Sequence, residues 1–154
     1  MAYRLGKGSK RELRGVHPDL VRVVQRAIEI TEADFTVHDG LRLYSEQLEY
    51  VRSGVSRTMN SKHLRQTDGY GHAVDLVPYI NGKLRWEWPP IYRIVEAVRK
   101  AAEELDVPVR WGGTWNALNG TTEKPEQLVI EARKQRAARG RKLFADGPHF
   151  DLEV

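Results

Sequence analysis

Three short stretches carry residues whose types and spacing suit hydrolytic chemistry. Ser61-Lys62-His63 sets a histidine in a polar stretch. Gly71-His72-Ala73-Val74-Asp75 sets an aspartate on a candidate strand behind small residues, and Asp146-Gly147-Pro148-His149 ends on a second histidine near the C-terminus. Two imidazoles and one carboxylate make a three-ligand zinc set whose fourth position stays open for water. Such a metal polarises a scissile carbonyl and acidifies the water. A carboxylate beside it can then carry the water's proton to a leaving amine, and Asp146, three residues before His149, is placed for that task. Spacing alone leaves another reading open, in which His63 and His149 lie on the surface and Asp75 forms a salt bridge.

The chain of 154 residues contains no cysteine. Disulfides and thiolate zinc sites are therefore excluded, and any transition metal must be held by His, Asp or Glu. The length fits one domain, 1–154, able to bury roughly two-thirds of its unfolded surface, with residues 1–15 a candidate for a flexible or loosely packed segment. The formal net charge of +4, from 25 basic and 21 acidic residues, suits an anionic polymer such as nucleic acid, a membrane surface or bacterial wall, and equally suits ordinary solubility. The polar, basic start from Met1 to Lys7 is unlike a secretory signal. No run approaches the ~18 apolar residues of a membrane span. A soluble protein made in the cytoplasm is expected, which would need another agent to release it to any substrate outside.

The elements that must position these residues follow from periodicity and punctuation. His17-Pro18-Asp19 opens a helix, since proline is tolerated and an acid favoured in the first turn. Leu20, Val21, Val24, Ala27 and Ile28 carry that helix to about Thr31. Residues 35–38 read as a strand broken by Asp39-Gly40, and Ser45 as the cap of a helix through Val51. Residues 57–71 form a loop and 73–77 a strand. Asn81-Gly82 is a strong hairpin signal. Pro89-Pro90 starts a third helix with Ile91, Ile94, Val95, Val98, Ala101 and Leu105 on one face. Residues 107–111 form a short strand ended by Gly112-Gly113, and residues 114–125 a loop. Residues 126–139 form a basic helix, and 149–154 a last strand. Helices and strands mix without βαβ alternation, so the fold class is α+β with a small, mainly antiparallel sheet flanked by helices.

Ser61-x-His63, Gly71-x-Ala73-x-Asp75 and Asp146-x-x-His149 resemble the motifs of the D-alanyl-D-alanine carboxypeptidase-like zinc peptidases. That group includes phage endolysins cutting the L-alanyl-D-glutamate bond, the vancomycin-resistance D-Ala-D-Ala dipeptidases and, as a structural relative, the hedgehog signalling domain. Further matches occur in order: Asp39-Gly40-Leu41-Arg42 with Gln47 beyond it, Gly54-Val55-Ser56, residues 59–64, Trp111-Gly112-Gly113-x-Trp115 and Pro148-His149-Phe150. The resemblance covers residues 16–154. It implies a hedgehog/DD-peptidase-like fold, zinc held by His63, Asp75 and His149, and Asp146 as general base. It makes Arg42 a candidate for holding substrate or steadying an oxyanion, the alternative being a structural salt bridge. Ser61, Gln47 and Trp115 are candidate substrate contacts. Three departures stand out. Leu64 to Tyr70 lengthen the stretch between His63 and the Gly-x-Ala-x-Asp unit, which is expected to alter the pocket rim. Thr114 occupies a position where an acid is common. Residues 116–145, with the basic helix, exceed the compact endolysin pattern.

The other histidines weigh less. His72 is expected on the face opposite Asp75, and His17 and His38 as structural or surface residues. Trp111 is a candidate for either the cleft or the core. The basic helix reads as a solvated face, with a grip on anionic wall polymer as the alternative. The resulting expectation is a monomeric, zinc-dependent endolysin acting on the L-alanyl–D-glutamate bond of bacterial peptidoglycan, with neither nucleic acid nor stable membrane insertion involved. A D-Ala-D-Ala carboxypeptidase or dipeptidase is the nearest rival, because bond choice depends on rim contacts. A zinc-containing module that binds peptidoglycan without cutting it is the other, although it would have no use for Asp146. DNA binding through 126–142 would leave the ordered His and Asp motifs unexplained.

Overall fold

The computed structural model describes residues 2–56 and 58–153. Helix α2 (Pro18–Ile30) starts at the predicted proline, and His17 caps it by accepting the Asp19 N–H on Nδ1 at 3.1 Å. Its apolar stripe, Leu20, Val23, Val24, Ala27 and Ile28, is buried and packs against the longest helix, α4 (Trp88–Leu105). Proline stands in the first turn of α4, as its fixed φ favours, and Ile91, Ile94, Val95, Val98 and Ala101 are buried. Helix α3 (Tyr44–Arg52) begins one residue before the expected cap. Ser45 does not cap it; Glu46 reaches back to the Leu43 N–H at 3.0 Å and fills that role. Helix α5 (Pro125–Ala137) buries Val129 and Ala132, while Arg133 and Lys134 face solvent.

Strands β1 (Phe35–Asp39), β2 (Ala73–Ile80), β3 (Lys83–Leu84), β4 (Val109–Trp111), β5 (Asn116–Ala117) and β6 (His149–Leu152) pair antiparallel throughout, in the order β1-β2-β6-β4-β5 with β3 beside β2. Asn81 and Gly82 both adopt positive φ (52° and 75°), the conformation of a two-residue type I′ hairpin. Strand β5 lies within the stretch expected to be loop, because two residues carry no readable period. Where residues 1–15 suggest a loose segment, helix α1 (Lys7–Glu12) lies against β1. Its Ser9 is buried and bonds Thr36 Oγ1 and the Val37 N–H.

Alternation along the strands separates two faces. Val74 and Leu76 of β2, Phe150 and Leu152 of β6, and Val109 and Trp111 of β4 enter the core under α4. The other face carries two cross-sheet rows. Asp39 pairs with Asp75, and Asp75 with His149; Ala73 pairs with Asp151, and Asp151 with Arg110. A bulge between Val37 and Asp39 brings Asp39 opposite Asp75. The C-terminal strand thus lies between β2 and β4, which makes residues more than seventy positions apart in sequence neighbours in space.

Candidate active site

The first histidine sits just outside the sheet. Ser61 Oγ accepts the His63 N–H at 3.1 Å, and His63 Nδ1 hydrogen-bonds the Gly40 carbonyl at 2.8 Å. A carbonyl only accepts, so Nδ1 carries the proton and Nε2 is left as the donor atom for a metal. It lies 3.2 Å from Asp75 Oδ1. His149 approaches the same oxygen from β6, with Nδ1 at 3.3 Å, while its Nε2 lies 2.8 Å from Asp151 Oδ2. One donor atom from each of His63, Asp75 and His149 falls within 4.8 Å of the others. Each imidazole is oriented through its remote nitrogen by a carbonyl or a carboxylate, as metal-ligating histidines usually are.

Electrostatics match this geometry. Burial works against the charge on Asp75, but hydrogen bonds from His149 and His63 outweigh it and hold that carboxyl well below the usual range. Burial also disfavours the His149 imidazolium. Asp151 and Asp75 reverse that and push its pKa up to about 9. The Asp146 pKa is also raised: the surrounding protein removes water from its carboxylate, and the nearby Asp75 carboxylate raises it further. A carboxylate made more basic, open to solvent beside the cluster, suits a proton acceptor.

The Asp146–His149 turn is held by close backbone contact. Asp146 N–H donates to the Gly112 carbonyl at 2.9 Å and Gly112 N–H to the His149 carbonyl at 2.8 Å. A Cβ on Gly112 would collide with the Asp146 carbonyl and come within 2.8 Å of His149 Cβ. Trp111, fully buried in the core, donates its indole N–H to the Gly147 carbonyl at 2.7 Å.

The cluster opens into a cleft of about 530 Å³, walled by His38, Trp86, Tyr50, Ser61, Lys62, Arg110 and Trp115 among others. Arg42 faces it but is almost wholly engaged. Its Nε and Nη2 bond Asp39, its Nη1 bonds Gln47 at 2.6 Å, and its guanidinium lies over Tyr50. Nη2 remains 3.9 Å from Asp75 Oδ2, so Arg42 places a fixed positive charge beside the cluster.

Gln47 does not belong among the substrate contacts. It is fully buried, its amide donating to Ser56 Oγ and the Thr58 carbonyl and accepting from Arg42. It positions Arg42. Ser61 and Trp115 do line the cleft, and Trp115 tilts against His149 with ring centres 5.1 Å apart. The insertion at residues 64–70 does not reshape the rim. It folds back on itself through Gln66 and Tyr70, Asp68 bonds His72 at 2.6 Å, and Tyr70 packs edge-on to His17. None of its residues lines the cleft. Thr114 is buried, with its hydroxyl accepting the Asn116 N–H.

Sequence reading misses Asp151, Arg110 and the His38–Trp86 pair. Asp151 had a signal: His149-x-Asp151 on a strand puts both side chains on one face. Trp86 had none, because its place against His38, at 5.2 Å between ring centres, comes from the fold of the β2–β3 hairpin.

Comparison with known proteins gives the family of the chain. The family model for phage L-alanyl-D-glutamate peptidases matches residues 1–153. The L-alanyl-D-glutamate peptidase of Escherichia phage T5 is 34% identical over 121 residues, covering 76% of this chain and 85% of its own. The crystal structure of the Serratia marcescens L-Ala D-Glu endopeptidase ChiX superposes with a TM-score of 0.72 at 38% identity, over 97% of this chain and 90% of that one. The chain belongs to the phage L-alanyl-D-glutamate peptidase family.

Proposed function

We propose that this peptidoglycan peptidase is a zinc enzyme hydrolysing the L-alanyl–D-glutamate bond of the stem peptide, with His63, Asp75 and His149 as metal ligands and Asp146 as general base. The carrying observation is the convergence of two oriented imidazoles and one carboxylate on a single point beside a more basic aspartate. The donor set fits the ion: two nitrogens and an oxygen are the ligand types zinc accepts, and three leave a position open. Bound there, zinc would supply Lewis acidity to the scissile carbonyl and acidify water.

The residues of the chain have separate tasks. Gly40 and Asp151 hold His63 and His149 in the tautomers that present a bare nitrogen. Asp146 takes a proton from the attacking water and returns it to the leaving amine. Its carboxylate makes no side-chain hydrogen bond among the described residues, so it is free to do both. Arg42, fixed by Asp39 and Gln47, offers stationary positive charge where negative charge develops on the substrate carbonyl. Ser61 and Trp115 contact the peptide from the cleft wall. We further propose a single catalytic domain acting as a monomer, held in the host cytoplasm until release to the wall for lysis. Among the described residues no helix is long and apolar enough to cross a membrane.

Mass spectrometry of fragments released from purified Gram-negative murein, with a chelated sample alongside, tests this reading. Peptides beginning at D-glutamate, absent after chelation and restored by zinc, are expected. Loss of terminal D-alanine alone would instead make the protein a carboxypeptidase.

A further inference from the structure

A glutamate residue inside a peptide uses one of its two carboxyl groups to continue the chain. The other remains a free carboxylate close to the scissile amide, on the leaving-group side. A cleft built for that bond must accommodate this charge, yet Asp39, Asp75, Asp146 and Asp151 all line it. The cations lining it are Arg42, Lys62 and Arg110. Arg42 is only 8% exposed and turned into its own bonds.

Arg110 and Lys62 are different. Both are half-buried, and both converge on Asp151, which is fully buried. Arg110 donates to the two Asp151 oxygens from Nε and Nη2, at 2.9 and 2.7 Å. Lys62 Nζ donates to the Leu152 carbonyl at 2.5 Å and lies 3.6 Å from Asp151 Oδ1. Two cations therefore share one carboxylate, which leaves a surplus positive charge on the cleft wall. Arg110 Nη1 has no acceptor among the described residues. The Arg110 guanidinium is held against the Trp115 ring, 5.2 Å from its centre, so its open Nη1 end is fixed in place on a rigid plane. Neutralising Asp151 needs only one of the two cations.

Position agrees with charge. Arg110 and Asp151 form the cross-sheet row next to the Asp75–His149 row on the same face. Two residues along a strand span about 7 Å. When the glutamate continues the chain through its γ-carboxyl, its free α-carboxyl carbon is roughly 3–4 Å from the scissile carbon by covalent geometry, and a hydrogen bond of about 3 Å must be added.

We infer that Arg110, assisted by Lys62, forms a carboxylate subsite that selects the free carboxylate of the glutamate on the leaving side of the scissile bond. This rests on the bond assignment made above. The test uses two synthetic peptides, N-acetyl-L-alanyl-D-glutamyl-L-lysine linked through the glutamate γ-carboxyl, with the α-carboxyl either free or amidated. The parent protein, zinc-loaded, should cut the free acid with about 10–100-fold higher kcat/KM, the range of a charge-assisted hydrogen bond. Arg110→Gln should reduce that preference to about threefold or less. Arg110→Lys should restore part of it. Lys62→Gln, which leaves the Arg110–Asp151 pair intact, should give an intermediate preference, so the idea stays testable should Arg110→Gln fold poorly. A merely structural role would lower cleavage of both peptides in proportion and leave the ratio unchanged in R110Q and K62Q; that result overturns the subsite. So does a parent that cuts both equally well, while the bond assignment stands. Cleavage of neither peptide would overturn both.

Discussion

At the scale of single residues, two carboxylates near His149 have unlike duties, and mutation should separate them. Asp151 touches His149 Nε2 and lies behind it, fully buried between strands. Asp146 stands in the cleft with an unengaged carboxylate. Asp151→Asn should weaken zinc affinity by about 10–100-fold, the usual cost of losing a partner behind a metal-bound histidine. Asp146→Asn should hold zinc within a few-fold of the parent and lose about 10²–10⁴-fold in turnover. Competition with a fluorescent chelator and peptide cleavage measure the two losses. Equal zinc affinity for parent and D151N would remove the orienting role, and undiminished turnover in D146N would remove the base. The proposed ligands were legible through the ordered motifs that carry the family resemblance, since five histidines and 21 acids leave many other combinations open on spacing alone. Asp151 was not singled out, since a carboxylate that orients a ligand looks like any other acid in a sequence. The placement of Gln47 failed for a related reason. Its spacing from Arg42 reveals that the two are near, but not that the amide faces inward to Ser56 and Thr58.

At the scale of elements, the loop between β4 and β5 meets the turn before β6 across Gly112. That glycine is needed for close approach: the space its Cβ would fill is held by the Asp146 carbonyl and His149 Cβ. Gly112→Ala should cost about 1–3 kcal/mol, as overpacking does, and should weaken zinc binding because His149 must move. Gly8→Ala is the control, an exposed site in α1 with nothing within 4 Å of an added Cβ. Denaturant melts of the two variants read the difference, and a G112A as stable as G8A would contradict the packing argument. The long periodic helices α2 and α4, and the Asn81-Gly82 hairpin, were readable because each rests on a local signal. Helix α1 and strand β5 are too short to show a period. The path of the 64–70 insertion was hidden for another reason: besides the nearby Asp68–His72 contact it is fixed by His17, a partner some fifty residues away that no local pattern connects to Asp68 and Tyr70.

At the scale of the whole molecule, the proposed ligand set joins three separated parts of the chain: the loop at His63, strand β2 and strand β6. A metal that binds this folded arrangement and not the open chain stabilises the fold by mass action, so chelation should lower the melting temperature. The pH dependence follows from His149. In the metal-free protein its pKa is raised from the ordinary 6.5 to about 9, against the cost of burial, by Asp151 and Asp75. A group whose folded pKa is raised contributes stability that is fully present below its unfolded pKa and is lost as pH rises through the folded one. The metal-free fold should therefore lose stability between about pH 6.5 and 9 from this group. Zinc needs the same nitrogen bare, so it must displace that proton. With one proton released by His149 for each ion bound, zinc affinity should fall by about tenfold for each unit of pH below about 9. The gap in melting temperature between zinc-loaded and chelated protein should accordingly widen from pH 6 to pH 9. The widening comes from the metal-free fold weakening as His149 loses its proton, while the zinc-loaded fold, which lacks that proton throughout, holds steady over the same range. Scanning calorimetry of both forms across that range checks it, and a gap that stays constant would mean that His149 is not the group the metal must deprotonate.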